Sequence, residues 1–173
     1  MEERIVRADP VAEPEEYQRE LLALLGGEDP VTVLAATATL LRERLGDVST
    51  DQLARRPQPD EWSPAELLGH LWDAEIAHAF RARLILAQHE PDLTGYDQDA
   101  WATLAKPAPA ALLEAFIALR DANLVLARAA APEAWERWGM HAERGRTTYR
   151  LLLETMAGHD RAHLEQIRRA LGS

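Results

Sequence analysis

The chain has 173 residues, which is enough for one domain with a full apolar core and too few for two comfortable ones. Its formal net charge of -10 disfavours a nucleic-acid partner, because a phosphate backbone would be repelled. The absence of cysteine excludes disulfides, thiolate metal ligands and a cysteine nucleophile. The sequence has no signal-peptide core and no apolar run of about 18 residues, so we expect a cytoplasmic protein with no membrane partner.

Residues 1–28 are predicted to be an N-terminal extension to a domain at 29–173. The first 14 residues carry prolines and alternating charge, which is typical of a loosely docked segment. A short helix is predicted at 15–25, ended by Gly26 and Gly27. Many Ala, Leu, Glu and Arg residues, with only 6% aromatic residues, favour helix over sheet. We therefore expect an all-α fold.

The first two long helices have clear start signals. Asp29 is a plausible N-cap for a helix at 29–45, with a proline at the first helical position. Ser63 and Glu66 have the spacing of a capping box and begin the second helix, which should continue to about residue 88. These signals fix the helix starts better than the helix ends.

Two long connections separate the remaining helices. The first covers residues 89–108, and its “GYDQDAW” stretch is predicted to make a helical turn. The third helix is predicted at 109–130 and the fourth at 147–171, from apolar residues at helical spacing. Four long amphipathic helices in one domain predict a four-helix bundle.

Two histidines lie on the apolar stripe of the fourth helix. His159 and His163 continue a series of steps of three or four residues that includes Met156 and Ile167, so both imidazoles face the core. Side chains four residues apart have Cβ atoms about 5–6 Å apart, which lets two ring nitrogens converge on one ion. Buried neutral imidazoles also need partners, which a metal ion would supply. With six histidines in the chain, the spacing alone is weak evidence.

A third ligand is expected from a facing helix. His70 shares a face of the second helix with small and aliphatic residues, so we predict it as the third ligand. His78 is rotated by about 80° from His70 and is the weaker candidate. His89 ends its helix beside Glu90 and suits the helix dipole. His141 is predicted in a loop, where a hydrogen-bonding role competes with a place near the site.

Two other kinds of metal site are disfavoured. “HDRAH” looks like the HExxH motif of metalloproteases, but its acid is shorter and only 10 residues follow His163, which leaves no downstream ligand. Ferritin-like di-iron bundles need two Glu-x-x-His motifs, and “EIAH” is the only one in this sequence.

The segments “EWSPAELLGHLWDAE” and “GMHAERGRTTYRLLLETMAGHDRAHLEQIRRAL” closely resemble the DinB-like family, which includes the YfiT-like metal-dependent hydrolases. The similarity spans about residues 30–171, and the order, spacing and context of the motifs agree. The resemblance implies an up-down-down-up four-helix bundle. It also implies a three-histidine metal site on His70, His159 and His163.

Family members with assigned activities include thiol transferases that use bacillithiol or mycothiol, and a mycothiol-dependent isomerase. Three neutral imidazoles leave open positions on a divalent ion, with zinc or nickel favoured, which suits activation of water or of a thiol. We therefore expect a metal-dependent thiol S-transferase or hydrolase for a small-molecule substrate, with a low-molecular-weight thiol as an optional cosubstrate. The alternative is a non-catalytic, metal-binding stress-responsive or interaction module. The sequence leaves open whether the protein forms a homodimer.

Further residues are candidates for supporting roles. Asp73 lies one turn beyond one histidine ligand and Asp160 adjoins another, so either carboxylate could orient a ligand. Surface ion pairing with neighbouring arginines is the more ordinary role. Four aromatic residues in the two connections are expected to cap the core or cover a pocket at the bundle end: Tyr96, Trp101, Trp135 and Trp138.

Overall fold

The computed structural model describes residues 6–172 of the chain. In this range the α-helices are α1 (Pro14–Leu25), α2 (Pro30–Leu45), α3 (Thr50–Ala54), α4 (Pro64–Ala87), α5 (Gln98–Ala102), α6 (Pro109–Ala129) and α7 (Tyr149–Leu171). Three short strands join them: β1 (Asp92–Leu93), β2 (Trp138–His141) and β3 (Gly145–Thr148). A 3₁₀ turn, Pro132–Glu136, precedes β2.

The long helices α2, α4, α6 and α7 form a four-helix bundle whose directions follow from two apolar clusters. One cluster joins the early parts of α2 and α7 to the late parts of α4 and α6, and the other joins the opposite parts. The first includes Leu34, Ile85, Leu124 and Leu152, and the second includes Leu41, Leu68, Phe116 and Ile167. Hence α2 and α7 run one way and α4 and α6 run the other. The predicted all-α, up-down-down-up bundle is confirmed.

A layer of buried polar side chains lies between the two clusters along the helices. Each of α2 and α4 packs against both α6 and α7, so groups from all four helices can meet in this layer. Its buried members include Thr37, His70, Asp73, Glu75, His78, Arg120, His159, Asp160 and His163. Because burial of a polar group is costly without a partner, this layer is where a functional site is to be sought.

Helix α1 packs along α7 at very close range. A Cβ atom at Gly158 would lie 2.1 Å from the backbone oxygen of Leu21, so only glycine permits this approach. The predicted short helix is therefore present, and it ends at Gly26, whose φ of 67° is left-handed. Through this contact α1 packs on the four-helix bundle along α7.

The helix caps agree with the sequence signals. The Asp29 side chain accepts a hydrogen bond from the backbone N–H of Thr32, and Ser63 and Glu66 form the predicted capping box. The predicted turn in “GYDQDAW” is α5. Caps act through side chains within three residues, so local sequence is enough to specify them.

The second connection differs from its prediction, because it contains a β-hairpin. Strands β2 and β3 are antiparallel, and β1 pairs in parallel with β2. His141 was expected in a loop but lies at the end of β2, paired with Leu93. Helix α7 begins at Tyr149 rather than at Thr147, because Thr147 belongs to β3. Four-residue strands are too short to show a clear alternating pattern.

No single helix among residues 6–172 has the length and apolar character needed to cross a membrane. Taken together, α1 and α2 meet that requirement, but they are bent by 80° at the break between them and both pack on α7.

Candidate metal centre

The structure brings His70, His159 and His163 together in the polar layer. His70 extends from α4, and the two others lie one turn apart on α7. The Nε2 atom of His159 lies 2.9 Å from Nε2 of His70 and 3.0 Å from Nε2 of His163. All three side chains are buried, and their candidate ligand atoms lie within 4.8 Å of one another. Nitrogen atoms this close are compatible with a shared ion bound at about 2.0–2.1 Å from each.

The tautomer of His163 is set by a neighbour. Its Nδ1 atom lies 2.6 Å from the side-chain oxygen of Gln166, which can only accept a hydrogen bond, so Nδ1 carries the proton. In the neutral ring the lone pair is then on Nε2, the atom that faces His159. An acceptor that holds the far nitrogen of a ligand histidine is a common feature of metal sites. The donor set therefore fits a divalent ion.

Burial keeps these imidazoles neutral. It lowers the pKa of His70 to about 2, and electrostatic interactions with His163, His78 and Lys106 act in the same direction. It lowers the pKa of His163 to about 4, with Gln166 and Asp160 opposing the shift. The pKa of His159 is also well below its usual range, first through burial and then through the other histidines. At neutral pH all three rings therefore offer lone pairs.

Asp160 belongs to a buried ionic network. It accepts hydrogen bonds from Arg120 and from the hydroxyl of Thr37, and Arg120 also donates to Glu75 at 2.9 Å. Asn123 donates to the second oxygen of Glu75 at 2.7 Å. The expected surface pairing of Asp160 is therefore wrong, because its partner is a buried arginine on another helix. Glu75, the acid of “EIAH”, is bound in the same network.

Asp73 forms an ion pair with a lysine that the sequence did not single out. Its carboxylate lies 2.9 Å from Nζ of Lys106, which also donates to the backbone oxygen of Trp101. Among residues 6–172 neither Asp73 nor Asp160 hydrogen-bonds a histidine. Lys106 approaches α4 at Gly69, where a Cβ atom would lie 2.7 Å from its side chain. This contact fixes the first connection beside His70.

A cavity of about 580 Å³ lies beside the three histidines. It is lined by residues from α1, α4, α7, the 95–99 segment and the hairpin, including Tyr17, Leu21, His78, Arg81, Tyr96, His141, Glu143, Arg144, Thr155 and His159. His159 is the member of the three-histidine cluster in this lining. A small molecule in the cavity would therefore contact the cluster at His159.

The other candidate histidines have different positions. His78 is buried in the cavity wall, where its Nδ1 donates to the backbone oxygen of Ala74 at 2.7 Å, so its Nε2 carries a lone pair. His141 also lines the cavity, and its Nδ1 accepts a hydrogen bond from the backbone N–H of Glu143. His89 is exposed beside Glu90. None of these three belongs to the described metal-ligating cluster.

The aromatic residues of the connections separate into two groups. Tyr96 lines the cavity, and Trp101 packs on it with ring centroids 4.7 Å apart. Trp135 instead packs on Tyr149, and Trp138 lies under the guanidinium of Arg146. The sequence missed Tyr17, Arg81 and Arg144 as cavity residues, because they lie on three separate elements and carry no motif.

Comparisons with known proteins place the chain in a known superfamily. Residues 33–167 match the model of the DinB superfamily, so the chain belongs to that superfamily. The family resemblance seen in the sequence is confirmed.

Among solved structures, the fold is similar to that of YfiT from Bacillus subtilis, described as a probable metal-dependent hydrolase with an unusual four-helix bundle topology. The TM-score is 0.76 at 18% identity, and the match covers 96% of this chain and 91% of that one. At this identity the match shows a shared fold. No curated protein matches the sequence.

Proposed function

We propose that the protein is a metal-dependent enzyme that acts on a small molecule, with His70, His159 and His163 as ligands of a divalent ion. The observation that carries this proposal is the convergence of three neutral, buried imidazoles beside a cavity of about 580 Å³. Three nitrogen ligands leave positions for a reactant, as catalytic sites do and closed structural sites do not. Imidazole donors suit zinc or nickel.

Such an ion would supply Lewis acidity that favours the deprotonated form of a water or a thiol. The residues of the chain would position the reactant. His78 offers its Nε2 lone pair at the cavity wall, and burial lowers the pKa of His78 to about 3, so the ring stays neutral and accepts a hydrogen bond. Tyr17 and Leu21 of α1 form part of the cavity wall.

Hydrolysis and transfer to a low-molecular-weight thiol are the two reaction classes we propose. In hydrolysis, water attacks an ester or amide carbon and the alcohol or amine leaves. In transfer, a thiol loses its proton, forms a bond to an electrophilic carbon and displaces a halide or opens an epoxide. The chain has no cysteine, so a thiol nucleophile must come from a cosubstrate.

The first experiment measures metal content. Elemental analysis of protein purified without added metal is expected to give about one divalent ion per chain, and His163→Ala should lose most of it. His89→Ala is the matched control, because His89 is an exposed histidine outside the cluster. Full metal retention by both His159→Ala and His163→Ala would contradict the ligand assignment.

The second experiment separates the reaction classes. Metal-loaded protein is incubated with ester and amide substrates, and separately with bacillithiol, mycothiol or glutathione and an epoxide or activated halide. Turnover that is lost in His163→Ala and kept in His89→Ala identifies the class. Absence of turnover in every assay would leave the alternative, a non-catalytic metal-binding module.

Removal of the ion tests that alternative directly. Helices α2, α4 and α7 are capped by side chains, and the bundle contains two apolar clusters, so the metal-free protein is expected to keep its helical circular dichroism at room temperature. Unfolding by a chelator would assign the ion a structural role instead.

A further inference from the structure

The cavity wall holds hydrogen-bond donors that have no acceptor within residues 6–172. His141 is only 4% exposed, and its Nε2 atom is buried without a partner. Because its Nδ1 accepts from the backbone of Glu143, the proton of the neutral ring is on Nε2. The Nε–H of Arg144 is likewise buried and unpartnered. Both side chains line the cavity, so its wall lacks an acceptor rather than a donor.

The same wall carries positive charge at depth. Arg81 is 4% exposed, and its guanidinium donates to the backbone oxygen of Thr94 at 2.8 and 3.1 Å. Within the described residues no carboxylate forms an ion pair with Arg81 or Arg144. Arg144 is half-buried, and Glu143 offsets the burial of Arg81 only in part. A buried cation such as Arg81 without an ion-paired carboxylate is unusual in proteins, because its desolvation is then not fully compensated. An anionic ligand would supply the missing charge.

The outer part of the cavity has the opposite charge. Asp9, Asp97, Asp99 and Glu143 are exposed and also line it. An acidic rim repels a phosphate dianion or a polyanion more strongly than a monoanion. A carboxylate offers two acceptor oxygens, one for each unpartnered donor, and its plane matches that of a guanidinium.

We propose that Arg81, His141 and Arg144 form a carboxylate-binding subsite, and that the substrate is a small carboxylic acid whose remaining part extends toward His159. This assignment rests on the proposed function, because it takes the cavity to be the place of the substrate. Arg144 and His141 are donors to the carboxylate, and Arg81 supplies charge behind them. The subsite is separate from the three metal-binding histidines.

Ligand-observed NMR on metal-depleted protein tests the subsite with three probes: butyrate, its neutral isostere butyramide, and inorganic phosphate. Butyrate is expected to bind at least about tenfold more tightly than butyramide, because a charge-assisted pair is lost in the amide. Phosphate is expected to bind more weakly than butyrate. Equal binding of butyrate and butyramide, absence of binding, or tighter binding of phosphate would each overturn the proposal.

Variants of the hairpin connect the binding to these residues. Arg144→Gln is expected to weaken butyrate binding about tenfold, and His141→Phe to weaken it severalfold. Arg146→Gln is the matched control, because Arg146 is exposed on the same hairpin and stacks on Trp138. Unchanged affinity in Arg144→Gln and in His141→Phe would overturn the proposal. Binding without any metal-dependent turnover would contradict only the proposed function.

Discussion

Two buried arginines show how the polar layer differs from the cavity wall. Arg120 donates to Asp160 and Glu75, whose charges outweigh burial and raise the pKa of Arg120. Arg81 donates to the backbone oxygen of Thr94 and lies over the ring of Tyr96, and burial, then the charge of Arg144, lowers the pKa of Arg81, with Tyr96 and Glu143 opposing the shift. The arginine of the polar layer is therefore neutralised by two buried carboxylates, whereas no carboxylate among residues 6–172 forms an ion pair with Arg81.

Replacement of Arg120 should have the largest effect on stability. Arg120→Met leaves Asp160 and Glu75 buried without their cation, which costs about 3–5 kcal/mol. Arg42→Met is the control, because Arg42 forms an exposed ion pair with Glu114 worth about 0–1 kcal/mol. Denaturant unfolding measures both, and equal losses would show that the network contributes no more than a surface pair.

A methyl group at Gly158 should displace the α1 side of the cavity. Gly158→Ala gains helix propensity, but its Cβ would meet the Leu21 backbone oxygen, which cannot rotate away, so a net loss of about 1–3 kcal/mol is expected.

Hydrogen exchange of the Gly158→Ala variant should be faster in α1 than in the wild type, with unchanged protection around Arg120. Ala162→Ser, on a half-exposed position of the same helix, should cost at most about 0.5 kcal/mol. A stability of Gly158→Ala equal to that of the wild type would mean that α1 does not hold this position in solution.

Replacement of Arg81 should cost less than replacement of Arg120. Arg81→Met leaves one backbone acceptor without its donor and removes the contact with the Tyr96 ring, but it also removes a buried cation that has no ion-paired carboxylate among residues 6–172, so a loss of about 1 kcal/mol is expected. Denaturant unfolding of Arg81→Met, beside that of Arg120→Met, measures this loss. A loss as large as that of Arg120→Met would remove the distinction between the two regions.

The smallest expected effect is on pH dependence. Burial, followed by the charges of Arg81 and Arg144, lowers the pKa of His141 to about 4, with Glu143 opposing. In the unfolded chain His141 takes up a proton near pH 6.5, whereas in the folded chain it does not. Its contribution to stability is therefore present above pH 6.5 and is lost as the pH falls toward 4.

For His141 alone the expected loss in the free energy of unfolding is about 0.7 kcal/mol between pH 7 and pH 6. His141→Phe should reduce the slope of stability against pH over this interval, and His89→Ala, which changes an exposed histidine, should not. A steeper slope in His141→Phe would contradict the stated direction of the shift.

The bundle and its three-histidine cluster were predictable because their signals are local. Caps such as Ser63 with Glu66 mark the helix starts, and the spacing of His159 and His163 places both on one face. Whether the cluster binds metal stays a prediction.

The features that the sequence did not predict depend on contacts between segments that are far apart in the chain. Arg120 meets Asp160 and Glu75 from two other helices, and a lone arginine in an amphipathic helix looks the same whether it is buried or exposed. The hairpin that holds His141 and Arg144 consists of strands too short to show a period. The sequence therefore predicted the scaffold and the three-histidine cluster better than the walls of the cavity.

We expect the ionic layer between the two apolar clusters also to favour one alignment of the helices. A shift of α4 by one turn moves its side chains about 5.4 Å along the bundle axis. Glu75 would then lose Arg120 and face aliphatic side chains, where an unpaired carboxylate is strongly disfavoured. Apolar side chains tolerate such a shift far better, because one aliphatic contact can replace another. The ion pairs would therefore favour the native register of the helices over compact, misaligned alternatives.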